Sequence, residues 1–240
     1  MAVLDCFDRA YVINLPHRTD RRVQIEAELA WAGMPFVPGE VELFAGIRPD
    51  APGTFPSIGV LGCFMSHTAI LKQAQQLGLR NVLIMEDDLQ LLPAIRDQHK
   101  RFAECVNDTE WDILYLGHGV EVRPDGPIEL MPYREYLLLA HCYAIHQRIL
   151  TRLIDFLELV QSRAPGHPDG GPMHYDGALW TFRQQNPDVR TFLVVPNLGI
   201  QRSSQSDIAP PKWFDRVPIL KQAARWARSA KVWWRMRGKR

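Results

Sequence analysis

The chain has 240 residues, 46% of them hydrophobic and 23% charged, enough to bury one sizeable core with a small extension beside it. Four well-separated cysteines (Cys6, Cys63, Cys105, Cys142) exclude a dense disulfide framework and a paired-cysteine zinc site. The net charge of +1 hides an asymmetry, because Lys221, Arg225, Arg228, Lys231, Arg235, Arg237, Lys239 and Arg240 stand in a segment with no acid, leaving residues 1–220 at −7.

The opening MAVLDCFDRA lacks the basic-then-apolar order of a secretion signal, and no run reaches the roughly 18 apolar residues of a membrane span. A cytoplasmic chain is expected. Ala10–Leu15 reads as a buried strand; after Pro16 a helix is expected from the cap candidate Thr19 to Gly33. Residues 48–59, rich in Pro and Gly, read as loop. Ser66 reads as the N-cap of a helix carrying Ile70, Ala74 and Leu77 and ending at Gly78. Val82–Met85 is the next buried strand, and Trp111–Leu116 and Tyr136–Ile145 are further strand candidates. Ile149, Leu153, Phe156, Leu157 and Val160 have helical spacing, Thr191–Val195 closes the regular elements, and 196–215 reads as irregular. Alternating strands and helices predict an α/β domain over 1–215 with a largely parallel sheet, whose ligands sit at the carboxyl ends of strands. Residues 216–240 form a separate basic tail.

Three constellations could carry chemistry. Glu86-Asp87-Asp88 stands where the apolar strand Val82–Met85 ends. Adjacent carboxylates repel unless a cation sits among them, and oxygen-only ligands suit Mn²⁺ or Mg²⁺; a solvated acidic loop is the alternative. Asn14 lies near the end of the first strand, and Arg18 and Arg22, four apart at a helix start, could face phosphates or simply form an exposed basic face. In Gly59-Val-Leu-Gly-Cys-Phe-Met-Ser-His67, two glycines allow close backbone approach and Ser66 with His67 would lie at a helix amino terminus that favours anions. A glycine turn with a capping serine needs no ligand. Asp176, after the glycine-rich loop 165–172, is the candidate general base, against a role as a helix cap; Asp112 is the alternative base. The Walker pattern GxxxxGK[ST] is missing from the sequence, which removes the commonest phosphoryl-transfer site.

Taken in order, INLPHRTDRR, GVLGCFMSH, LIMEDD, WDILYLG, AHCYAI, HYDGAL and QRSSQSDI, spanning about residues 9–208, resemble glycosyltransferase family 25. That family includes lipopolysaccharide-biosynthesis galactosyl- and glucosyltransferases, with the collagen galactosyltransferases as relatives. The resemblance implies a GT-A-like, Rossmann-like α/β fold, a mostly parallel sheet flanked by helices, and inverting transfer of a hexose from a UDP-sugar to a hydroxyl of a cell-surface or lipid-linked glycan. It implies that Asp88 ligates Mn²⁺ (or Mg²⁺), with Asp87 and Glu86 in support, and that Asn14, Arg18 and Arg22 lie along the nucleotide. By the same resemblance Ser66 and His67 lie near the diphosphate, and Gln201, Ser206 and Asp207 close the site. Val60 stands where the family usually has an acid. The rival is a catalytically silent binding or scaffold protein of the same fold, against which the complete acidic triplet argues.

The tail completes the expectation. On a helical wheel Ile219, Leu220, Ala223, Trp226, Ala227, Ala230, Trp233 and Trp234 share a face opposite the basic residues. Such a helix would hold the enzyme peripherally on an anionic inner-membrane surface. Packing of the tryptophans on the catalytic domain is the alternative, and no nucleic-acid motif points to that partner.

Overall fold

A computed structural model describes residues 3–202. Ser206, Asp207 and the expected amphipathic helix lie outside the described residues.

After a short 3-10 turn the elements follow as β1 (Arg9–Asn14), α1 (Thr19–Trp31), β2 (Val41–Ala45), α2 (Ile58–Gln76), β3 (Asn81–Glu86) and β4 (Leu89–Leu91). Next come α3 (Ala94–Asp97), α4 (His99–Asp108), β5 (Ile113–Gly117), β6 (Glu129–Pro132), β7 (Cys142–His146), α5 (Gln147–Ser162), α6 (Tyr175–Gln185), β8 (Thr191–Val195) and β9 (Gly199–Gln201). The sheet order is β2-β1-β3-β7-β5-β8-β6, with β9 beside β5 and β4. Among the described residues six of nine strands run one way: β1, β2, β3, β5, β8 and β9. The mostly parallel, helix-flanked α/β sheet expected from the sequence is therefore present, with β7 inserted antiparallel at its centre.

Both faces of β3 are covered, so its apolar run is continuous rather than alternating. Leu83 and Met85 join a cluster with Ile25 and Leu29 of α1 and Phe102 of α4. Alternate strand residues must face the other way, and there α2, α5 and α6 pack together. The stops expected at Gly33 and Gly78 hold: both glycines take φ near +70°, 75° and 64°, a conformation that ends a helix at little cost only when there is no Cβ.

Three expectations are corrected. The helix expected from Ser66 starts at Ile58, eight residues earlier by number, and its cap is Ser57, whose Oγ accepts from Val60 N at 3.1 Å. The strand expected over 136–145 is ordered as strand only from Cys142, because Leu139 adopts a left-handed φ of 74° that extended pairing does not allow. Within 196–215, Gly199–Gln201 is not irregular but strand, paired with Leu89–Leu91.

Candidate functional site

The carboxyl ends of β1 and β3 lie side by side, with Ile13 in register with Glu86. That register brings Asn14 next to Asp87. Asn14, 2% exposed, donates from Nδ2 to Asp87 Oδ2 at 2.8 Å and to the Arg18 carbonyl at 3.1 Å. Arg21 donates to Asp87 Oδ1 at 2.8 Å and lies 3.5 Å from Asp88 Oδ2. From the far end of the chain, the pairing of Leu89 with Gln201 carries Gln201 over the triplet. Its Nε2 lies 3.4 Å from Glu86 Oε2 and 3.3 Å from Asp88 Oδ2. Asp88 Oδ1 is buried with no hydrogen-bond partner among the described residues.

The electrostatics are those of a site short of positive charge. Burial, then the neighbouring Asp87, raises the Glu86 carboxyl to about 7 against the lowering pull of Arg21. Burial, then Glu86, raises Asp88 to about 7, again opposed by Arg21. Asp176 adds its negative charge to the field at Glu86 and His67. Oxygen donors, one of them buried and unpartnered, in a field of several carboxylates and one guanidinium, fit a hard divalent cation.

His67 is 1% exposed and its Nε2 lies 3.4 Å from Glu86 Oε1. Its Nδ1 is 2.9 Å from the Tyr143 hydroxyl, which donates to the Tyr175 hydroxyl at 2.8 Å, and its ring stacks on Tyr175 at 4.2 Å. Burial pushes the imidazole down to about 3, so it is neutral at ordinary pH.

The structure thus brings together Asn14, Glu86, Asp87, Asp88, His67 and Gln201. Ser66 and His67 do not stand at a helix amino terminus; both lie inside α2, since that helix begins at Ile58. Ser66 donates to the Gly62 carbonyl at 2.7 Å and accepts from Ile47 N at 2.8 Å. A Cβ on Gly62 would come within 2.4 Å of the Ile47 carbonyl oxygen. The close backbone approach expected at this glycine therefore serves the chain's own loop, which Ser66 pins to α2, and not a phosphate.

Arg22 is exposed, and Arg18 forms a two-pronged pair with Asp20 at 3.0 and 3.1 Å. The inward guanidinium is Arg21, which sequence reasoning missed. A signal existed: Arg21, Ile25 and Leu29 are spaced by four and all three are buried, so the apolar stripe of α1 extends to Arg21 and places Arg22 outside it. Asp176 sits in the first turn of α6, with Oδ1 accepting from Gly177 N at 2.8 Å and Oδ2 from Leu139 N at 3.1 Å. Asp112 stands at the opposite, amino-terminal end of β5. It is held by Arg148 at 2.9 Å and Arg190 at 3.1 Å, an anchor rather than a base at the triplet. Val60 is 3% exposed, packed within the protein.

Comparison with known proteins bears on the family and the fold. A family model described as "Glycosyltransferase family 25 (LPS biosynthesis protein)" matches residues 7–142. The chain is 31% identical over 137 residues to the human inactive glycosyltransferase 25 family member 3, covering 50% of this chain and 23% of the relative. It is 28% identical over 147 residues to procollagen galactosyltransferase 1-B of Xenopus laevis, covering 52% of this chain and 23% of the relative. The aligned part thus spans about a quarter of the length of these curated relatives. Among solved structures, a glycosyltransferase involved in glycosylation of the major capsid of PBCV-1 superposes with a TM-score of 0.51 at 11% identity, covering 82% of this chain and 94% of that one. That likeness concerns the fold alone.

Proposed function

Because the chain belongs to glycosyltransferase family 25, we propose that it is an inverting, metal-dependent hexosyltransferase. It takes galactose or glucose from a UDP-sugar and attaches it to a hydroxyl of a cell-surface or lipid-linked glycan. The observation that carries this reading is the acidic triplet at the carboxyl ends of parallel strands, with a buried, unpartnered Asp88 oxygen. Ligands of open α/β sheets bind at that edge.

Asp88 would hold Mn²⁺ or Mg²⁺, with Asp87 in support through the lone pairs left after its bonds to Asn14 and Arg21. A divalent ion bound there neutralises charge developing on the departing diphosphate. Asn14 and Arg21 fix Asp87, and Gln201 spans Glu86 and Asp88, so the triplet is held before any ligand arrives. Inversion needs a base on the face opposite the leaving group. Asp176 takes the acceptor proton, its carboxylate oriented by two backbone N–H donors. Arg18, with His67 behind the triplet, completes the donor side, and the basic tail holds the enzyme beside its lipid-linked acceptor.

The test is incubation of the full chain with a panel of nucleotide sugars and glycan acceptors, reading released nucleoside diphosphate with and without EDTA. UDP-galactose or UDP-glucose should be consumed, and chelation or Asp88→Ala should abolish release while the protein stays folded. Full turnover after exhaustive chelation would overturn the metal assignment. A second reading, a silent protein of the same fold, is favoured by the relative named inactive; no release from any sugar of the panel would establish it.

A further inference from the structure

Cys63 and His67 are four residues apart on α2, so their side chains share a face of the helix. That face meets the end of β3. One ligand atom each from Cys63, His67 and Glu86 lie within 4.8 Å of one another. A tetrahedral ion with bonds of about 2.0–2.3 Å would draw such atoms to within about 3.3–3.6 Å. A change of that size needs only side-chain adjustment.

The hydrogen bonding points to a missing partner. Tyr143 donates to Tyr175. The Tyr143 oxygen therefore accepts from His67 Nδ1–H, at 2.9 Å, in the tautomer this network assigns. Nε2 is then a bare lone pair, 1% exposed residue though it belongs to, with no hydrogen-bond partner among the described residues. It faces another acceptor, Glu86 Oε1, at 3.4 Å. Two acceptors facing each other beyond ordinary hydrogen-bond distance are repulsive unless a cation or proton lies between them. Metal-bound histidines typically donate their second ring nitrogen to a fixed neighbour, as Nδ1 does here to Tyr143.

We propose that Cys63 Sγ, His67 Nε2 and a Glu86 carboxylate oxygen form a second cation site, selective for a thiophilic divalent ion, Zn²⁺ foremost. Thiolate and imidazole suit Zn²⁺ and disfavour Mg²⁺, so the site differs in kind from the all-oxygen Asp88 position. Binding releases the Cys63 thiol proton to solvent and forms a metal–sulfur bond with no change of oxidation state. Three protein ligands leave the fourth position to water or an anion. The bound ion ties α2 to the end of β3. The inference does not rest on the transferase reading.

Cobalt(II) is the probe, added to the full chain with its thiols reduced. The expected spectrum has intense tetrahedral d–d bands and a near-ultraviolet thiolate-to-cobalt charge-transfer band, both reversed by Zn²⁺. Cys63→Ser should abolish the charge-transfer band, while Asp88→Asn and Cys105→Ser retain it. In the unmutated protein, Zn²⁺ should slow alkylation of Cys63 at least tenfold, read residue by residue by mass spectrometry, so the result does not depend on a variant folding. No charge-transfer band, a band lost in Cys105→Ser instead, or alkylation of Cys63 indifferent to Zn²⁺ would each overturn the proposal. Any of these could occur with sugar transfer intact, so failure here is distinct from failure of the transferase reading.

Discussion

At the scale of single residues, the triplet's carboxylates differ in their tasks because their partners differ. Asp87 is satisfied by Asn14 and Arg21, whereas Asp88 keeps a buried bare oxygen. Asp88 ordinarily titrates at 3.8 and is raised to about 7 by burial, then by Glu86. Between those values the folded chain binds a proton that the unfolded chain has lost, so this group's contribution to stability falls as pH rises. Below both values Asp88 is neutral in either state and contributes nothing. Asp88→Asn should therefore raise the metal-free Tm at pH 8, by about 2–4 °C per kcal/mol relieved, with the gain vanishing toward pH 4. Calorimetry across that range checks it; a gain independent of pH would refute the charge-burial argument. Added Mn²⁺ should stabilise the unmutated protein more at pH 8 than at pH 6, since an ion must displace these protons. Asp176→Asn keeps the side chain's size while removing its capacity to take a proton. Turnover should fall by roughly 10²–10⁴-fold with nucleotide binding retained. Near-normal single-turnover rates would return Asp176 to holding Leu139 and the first turn of α6.

At the scale of elements, the sequence was most legible where periodicity and helix stops agree. Gly33 and Gly78 end their helices as expected, and Val82–Met85 and Thr191–Val195 are strand. What it hid were features fixed by distant partners. The helix start at Ile58 was masked by Gly59 and Gly62, residues that cost a helix about 1 kcal/mol each and read as a turn. Only the Ile47 carbonyl pressed against Gly62 explains a glycine there. Residues Gly199–Gln201 have no strand pattern of their own and become strand through β4. Within α1, Arg18 and Arg22 drew attention by their spacing from each other, when the informative spacing was that of Arg21 from Ile25 and Leu29. The buried Arg21 and the exposed Arg22 therefore separate in experiment. Arg21→Gln leaves Asp87 and Asp88 without their guanidinium, a loss approaching the about 3–5 kcal/mol of an orphaned buried charge at pH 8. The loss should shrink at pH 5 as Glu86 and Asp88 take up protons. Arg22→Gln, on the exposed face, should stay within about 0.5 kcal/mol. Equal Tm changes in the two variants would contradict the inward placement of Arg21.

At the scale of the whole molecule, the order of strands and helices in the sequence was enough to anticipate a sheet with most strands in one direction and to direct attention to the acidic triplet at their carboxyl ends. It could not reveal that β7 runs against them, because strand direction depends on pairing across the sheet and not on local pattern. Charge is the other global property written in the sequence, with eight basic residues and no acid in 221–240 against a net −7 on the rest. Among the described residues no helix is long and apolar enough to cross a membrane. The eight basic residues would make attachment through the tail electrostatic in large part. Each lysine or arginine near an anionic lipid surface contributes about 1 kcal/mol, and the attraction is screened within about 10 Å at 0.1 M salt. Tryptophans 226, 233 and 234 would add affinity for the headgroup boundary. The full chain should therefore co-sediment with anionic vesicles at low salt, much less at high salt, and little with neutral vesicles. A chain lacking residues 219–240 should lose most of that binding while keeping nucleotide-sugar turnover on a water-soluble acceptor. If the two chains sediment equally on anionic vesicles, the tail has no membrane role and its apolar face belongs against protein.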